Sequence, residues 1–129
     1  MKALVLSNGE LKEKDINNTL EELQSIVGGY IEIPFLSEVF ANNEIDVIIN
    51  EEGKLIDGLR PEIAIINEDT QKMCDIVFGS CIFASHDEEG NTVGLNEKQI
   101  KVIENALEIE VMLHDRNVNK DYLVKTLFI

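Results

Sequence analysis

The apolar residues of this chain come in short runs, among them Ala3–Leu6, Ile45–Ile49 and Ile63–Ile66, and turn-forming clusters such as Ser7-Asn8-Gly9 and Asn50-Glu51-Glu52-Gly53 close them. Short runs punctuated by Gly and Asn are the pattern of strands joined by tight connections. They are also far below the roughly 20 consecutive apolar residues that a membrane-crossing helix needs. A sheet is therefore expected to organise the chain, with no transmembrane segment.

Lys2–Leu6 reads as the first strand, and not as the start of a signal peptide, because its apolar stretch stops too early. Tyr30–Phe35 places Ile31, Ile33 and Phe35 on one face, with Pro34 marking a strand end or a sheet edge. Ile45–Ile49, the turn at Asn50–Gly53 and Lys54–Ile56 read as a hairpin, followed by a short strand at Glu62–Ile66. Cys74–Ala84 reads as one long buried strand with a bulge at Gly79.

Two stretches change to helical periodicity. Ile16, Leu20, Leu23 and Val27 line one face of a helix that Asp15 caps and Gly28-Gly29 ends. Asn96 with Gln99 opens a second helix as a capping box, and Ile100, Ile103, Leu107 and Val111 carry its buried stripe to about Leu113. A short terminal helix is expected to hold Tyr122, Leu123, Leu127 and Phe128. The predicted fold is α+β: a mostly antiparallel β-sheet with one N-terminal helix and two C-terminal helices, in a single domain over residues 1–129.

Charge narrows the function. The chain carries 25 acidic and 11 basic residues, a formal net charge of −14. Phosphate backbones are bound by Lys and Arg that release counterions, so direct nucleic-acid binding is not expected. A small anion in a local basic pocket stays open, since screening limits a site's field to about 8 Å.

The residues with catalytic potential have structural readings. His86 and His114 are the only histidines, and His114 is placed near a helix end, where the dipole favours a cation. Glu21-Glu22, Glu51-Glu52 and Glu88-Glu89 read as solvated surface. Asp87, Glu89 and Asn91 lack the closing glutamate of a calcium loop. Cys74 and Cys81, seven residues apart without further Cys or His at ligand spacing, read as reduced thiols and not as a zinc site. No cofactor, metal or catalytic constellation is expected.

The residues that remain as binding candidates are Arg60 and Arg116, the only arginines, for phosphate; Phe83 for stacking on a base; and Asn91 or Asn96.

Val27-Gly28-Gly29-Tyr30-Ile31-Glu32 followed by Asn50-Glu51-Glu52-Gly53-Lys54-Leu55, with Gly79 and Gly94–Ile100 beyond, resembles a family of small proteins of unknown function encoded by phages and mobile elements. The resemblance spans roughly residues 2 to 103 and implies a phage accessory protein of the host bacterial cytoplasm. The order of elements is also similar to the Thoeris anti-defence sponges, which hold cyclic ADP-ribose isomers between subunits without cleaving them. That likeness implies a small cyclic nucleotide as ligand, Arg60, Phe83, Asn91 and Arg116 as its contacts, and a homo-oligomer formed through the C-terminal helices with Val111, Tyr122 and Leu127. The alternative expectation is an acidic mimic of DNA that inhibits a restriction or CRISPR enzyme.

Overall fold

The computed structural model describes all of residues 1–129 and contains two sheets, mostly antiparallel, with three short helices. The first sheet grows from the hairpin of β1 (Lys2–Ser7) and β2 (Glu10–Asp15). Asn8 and Gly9 join them at φ +53° and +79°, the pair of left-handed residues that a two-residue hairpin turn requires. β2 reads Glu-Leu-Lys-Glu-Lys-Asp and has almost no apolar content, so a search for apolar runs passes over it. Its place at the sheet edge makes a polar strand sufficient.

The rest of this sheet consists of β3 (Ile31–Glu32), β4 (Ile45–Asn50), β7 (Cys81–His86) and β8 (Thr92–Val93), in the order β2-β1-β7-β4-β3 with β8 beside β7. The second sheet has the order β6-β5-β10-β9, from β5 (Pro61–Asn67), β6 (Lys72–Phe78), β9 (Glu110–Asp115) and β10 (Lys120–Phe128). β5 and β10 run parallel and every other pairing is antiparallel. The helices are α1 (Leu20–Val27), α2 (Glu38–Asn42) and α3 (Glu97–Ala106).

The layers follow from side-chain alternation along the central strands. Leu4 and Leu6 of β1, Val47 of β4, and Cys81 and Phe83 of β7 point into the main core, where they meet Ile63 and Ile65 of β5, Leu127 of β10, and Ile100 and Ile103 of α3. Ala3, Val5, Ile48, Ile82 and Ala84 point the other way, onto Leu23 and Val27 of α1. The first sheet is thus covered on both faces, which is why its strands are almost continuously apolar. Each large side chain buried here contributes roughly 1.5–3 kcal/mol of transfer free energy.

Several expectations are corrected. The first helix begins at Leu20 with Thr19 as its cap, accepting from the Glu22 N–H at 3.2 Å, because residues 10–15 are drawn into β2 instead. Gly28 ends it in the left-handed conformation, as expected. Ile45–Asn50 pairs with β7 and β3, so Lys54–Ile56 is not its hairpin partner. Cys74–Ala84 is two strands that belong to different sheets, with Gly79 in the crossing between them.

The capping box of Asn96 and Gln99 is present, but α3 stops at Ala106. Val111 then lies on β9, and the expected terminal helix is β10; Val111 and Val124 sit opposite each other in that pair. Short apolar stretches satisfy both periods, and long-range pairing with β5 decides for strand.

Candidate functional site

The four residues singled out from the sequence do not assemble into one site. Arg60 precedes β5 and bonds within the second sheet: its Nη1 donates to Glu62 Oε1 at 2.7 Å and its Nη2 to the Leu123 carbonyl at 2.7 Å. Glu62, only 2% exposed, also accepts from the N–H groups of Asn8 and Gly9, both at 2.8 Å. The guanidinium lies 5.4 Å from the centre of the Tyr122 ring. Its donors are engaged in a strut between the β1–β2 turn and the second sheet.

Phe83 is fully buried and packs edge-on against Phe40, with ring centres 5.9 Å apart, so it supplies core volume and has no face free for a base. Asn91 closes the exposed β7–β8 loop, where its N–H and Nδ2 both bind the Asp87 carboxylate. Backbone N–H donation from Asn91, helped by the Asn91 side chain and the N–H groups of Glu89 and Gly90, holds Asp87 below the usual carboxylate range. Arg116 is exposed in the β9–β10 turn.

Of the residues expected at an oligomer interface, Leu127 is buried in the core and Val111 and Tyr122 are half-buried. His114 lies on β9, not at a helix end, with Nδ1 2.7 Å from Asp121. His86 Nδ1 is 3.1 Å from Asp46. Cys74 and Cys81 are free thiols, and burial pushes Cys81 up, with the Glu62 carboxylate adding to it. No group of three His, Cys, Asp or Glu side chains gathers to hold a metal, and no helix is long and apolar enough to cross a membrane.

What the fold does bring together are the two segments Val27–Glu32 and Asn50–Leu55. Asn50 is buried, its Nδ2 donating to the Val27 carbonyl at the end of α1 (3.2 Å) while its Oδ1 accepts from the Glu52 N–H (2.8 Å). The Glu51 N–H donates to the Tyr30 carbonyl at 2.8 Å. A Cβ at Gly53 would stand 2.8 Å from the Phe78 carbonyl, so only glycine lets this turn pass so close to β6.

These contacts shape a groove of about 250 Å³ between the strap Glu32–Leu36 and the edge of β6, with Lys54, Leu55 and Asp75 along it. A second hollow of about 250 Å³ lies across the strap, against Phe40, Asp46 and His86. Phe35 and Leu55, both on the first groove, are 72% and 81% exposed, while Tyr30, 70% exposed, lines a separate hollow beside Gly28 and Gly29. Apolar side chains this exposed and this close together mark an interaction surface more often than a solvated one.

The segment that carries Phe35 is one-sided in charge. Between Lys14 and Lys54 there is no Lys, Arg or His, yet nine Asp or Glu lie there. Asp15 meets the N-terminal amine and Asp46 meets His86, while the other seven have no cationic partner. That gap stands in plain view in the sequence. Reading the charge as a whole-chain sum hid it.

A third cleft, of about 490 Å³, lies between Gly53–Leu59 and the β9–β10 turn, lined by Lys54, Asp57, Asp115 and Asn117. Arg60 and Arg116 are sequence neighbours of its lining residues but do not line it. No curated protein and no solved structure matches the chain. A family model described as Domain of unknown function (DUF3846) matches residues 1–108, everything through α3 but not the β9–β10 hairpin, and the chain belongs to that family.

Proposed function

We propose that this protein acts by stoichiometric binding to a basic partner protein, in the manner of an acidic inhibitor that occupies the nucleic-acid surface of a restriction or CRISPR enzyme. The observation that carries this reading is the segment from Asp15 to Glu52, which holds nine acids and no cation and carries the exposed Tyr30 and Phe35. Unpaired acids of one sign steer a basic partner, and exposed aromatics supply the contact that holds it. In this reading it is a phage-encoded anti-defence protein of the host cytoplasm and performs no catalysis.

The test is calorimetry against a Lys-rich peptide at about 50 and 300 mM salt, a range over which the screening length falls roughly 2.4-fold. Binding that weakens steeply with salt, and weakens further when Glu21, Glu22, Glu51 and Glu52 are changed to Gln, is the expected result. Binding that is indifferent to those four substitutions counts against it.

A second reading is a sponge for a small cyclic nucleotide. The cleft of about 490 Å³ beside Lys54 and Asn117 favours it, being of the size that small ligands occupy. Asp57 and Asp115 on its wall oppose a phosphate, which is why it ranks second. Phe83 is too deeply buried to stack on a ligand, so the contacts would come from Lys54, Asn117 and, after side-chain movement, Arg116. Calorimetry with cyclic ADP-ribose isomers, on the native chain and on Lys54→Ala, separates the two readings. Heat with the native chain that is lost in the variant favours the sponge.

A further inference from the structure

Tyr30–Phe35 has the alternation of a six-residue strand, but only Ile31–Glu32 is paired. We propose that the unpaired remainder is a docking edge, completed when an extended basic segment of a partner protein adds to it as a strand. This rests on the preceding reading of a basic protein partner and names the backbone geometry by which it is held.

In the antiparallel pair of β3 and β4, Glu32 lies opposite Ile49, and the Glu51 N–H donates to the Tyr30 carbonyl. Residues 30 and 32 therefore turn their N–H and C=O groups toward β4, and the alternate residues Ile31, Ile33 and Phe35 turn theirs away. β3 is the terminal strand of its sheet, so away means toward water.

Pro34 falls on the inward parity. Its missing N–H ends the pairing with β4 but removes nothing from the outer row of donors. Proline also holds its own backbone, and that of Ile33 before it, in the extended region, so the edge is presented in the conformation a strand needs. Ile33 and Phe35 make no backbone hydrogen bond within the protein, and both side chains are exposed, at 47% and 72%.

The opposite side of the groove is built differently. On β6 the Asp75 carboxylate accepts from the Ile76 N–H and also pairs with Lys54, so that edge is blunted by its own side chains. The β3 edge has no such protection. What would dock there is set by charge: the chain from Asp15 to Glu52 offers no cation and Lys54, along the groove, is already paired with Asp75, so the incoming strand should alternate Lys or Arg with apolar residues, the latter against Ile33 and Phe35.

The test uses a peptide of alternating Lys and Val, the same peptide N-methylated at its valines, and ¹⁵N-labelled protein. Strand addition predicts that the plain peptide shifts the amide signals of Ile31, Ile33 and Phe35 and slows the hydrogen exchange of those amides. It also predicts that N-methylation, and separately Ile33→Pro, weaken binding by about tenfold or more, the scale of one or two lost backbone hydrogen bonds. Phe35→Ala keeps the N–H and should weaken binding less than Ile33→Pro does, with both variants retaining the native spectrum elsewhere. Equal affinity for the methylated and plain peptides would overturn strand addition while leaving charge-driven capture standing. Failure of every cationic peptide to bind would remove both.

Discussion

The two sheets solve the problem of burial differently. The six-stranded sheet is covered by α1 on one face and by the second sheet with α3 on the other, so β7 buries Cys81, Ile82, Phe83 and Ala84 without interruption. The four-stranded sheet reaches past the core. Midway along its β9–β10 hairpin Met112 and Leu123 sit opposite each other and remain 65% and 49% exposed. Charges divide in the same way: Asp75, Glu62, Glu110 and Asp121 of the second sheet each have a basic partner, whereas seven acids between Asp15 and Glu52 have none. The region with the better-covered sheet is thus also the one whose surface is left open to a partner. Stability comes from the two covered faces of this sheet and recognition from its uncovered β3 edge.

That contrast can be broken most sharply at its two phenylalanines. Phe83→Ala should lose about 3–5 kcal/mol in urea unfolding, as expected for emptying an aromatic site in a packed core. Phe35→Ala should stay within about 0.5 kcal/mol of the native chain. Comparable losses in both would mean that the strap belongs to the core.

The link between the sheets is tested at Glu62. Glu62→Ala leaves the Arg60 guanidinium and the N–H groups of Asn8 and Gly9 without their acceptor. A loss of about 3 kcal/mol is expected, because a partly buried charge without its partner costs more than the pair contributes. A loss below about 1 kcal/mol would show that water reaches the strut and replaces the carboxylate.

Asn50→Ala is expected to cost about 1–2 kcal/mol, since it frees the Val27 carbonyl and the Glu52 N–H together. Thermal unfolding measures the loss, and amide exchange at Glu52 shows whether the turn has loosened.

The smallest effect concerns the β7–β8 loop. Asp87 is held below its ordinary value by the N–H donors around it, so its contribution is present above the unfolded carboxylate range, near pH 4, and is lost as pH falls through the folded value. The Asn91 amide should lose protection, measured against its intrinsic exchange rate, as pH falls below about 4. Exchange at Asn91 that ignores this range would show that the loop holds without the carboxylate.

Much of the local structure was legible. The caps of α1 and α3 at Gly28, Asn96 and Gln99 depend on neighbours in sequence, and they stand where the residues predict them. The turn at Asn8-Gly9 was legible as a turn but not as a hairpin, because β2 lacks the apolar residues that would have announced a second strand. The candidate site was less legible. Arg60 and Phe83 are residue types that ligands use, and only the fold shows Arg60 committed to Glu62 and Phe83 to the core.

What the sequence determined by itself was the class of fold, the short length of its elements, and an excess of acid concentrated between Lys14 and Lys54. These are matters of periodicity, turn chemistry and counting, which act over a few residues. Only the tertiary structure decided that Cys74–Ala84 divides between two sheets, that the C-terminal apolar residues form β10 and not a helix, and that Tyr30–Phe35 ends as a half-paired edge. The physical reason is common to all three. Which sheet a short apolar segment joins, how far it pairs, and whether it is strand at all depend on a partner that lies tens of residues away, beyond the reach of local periodicity.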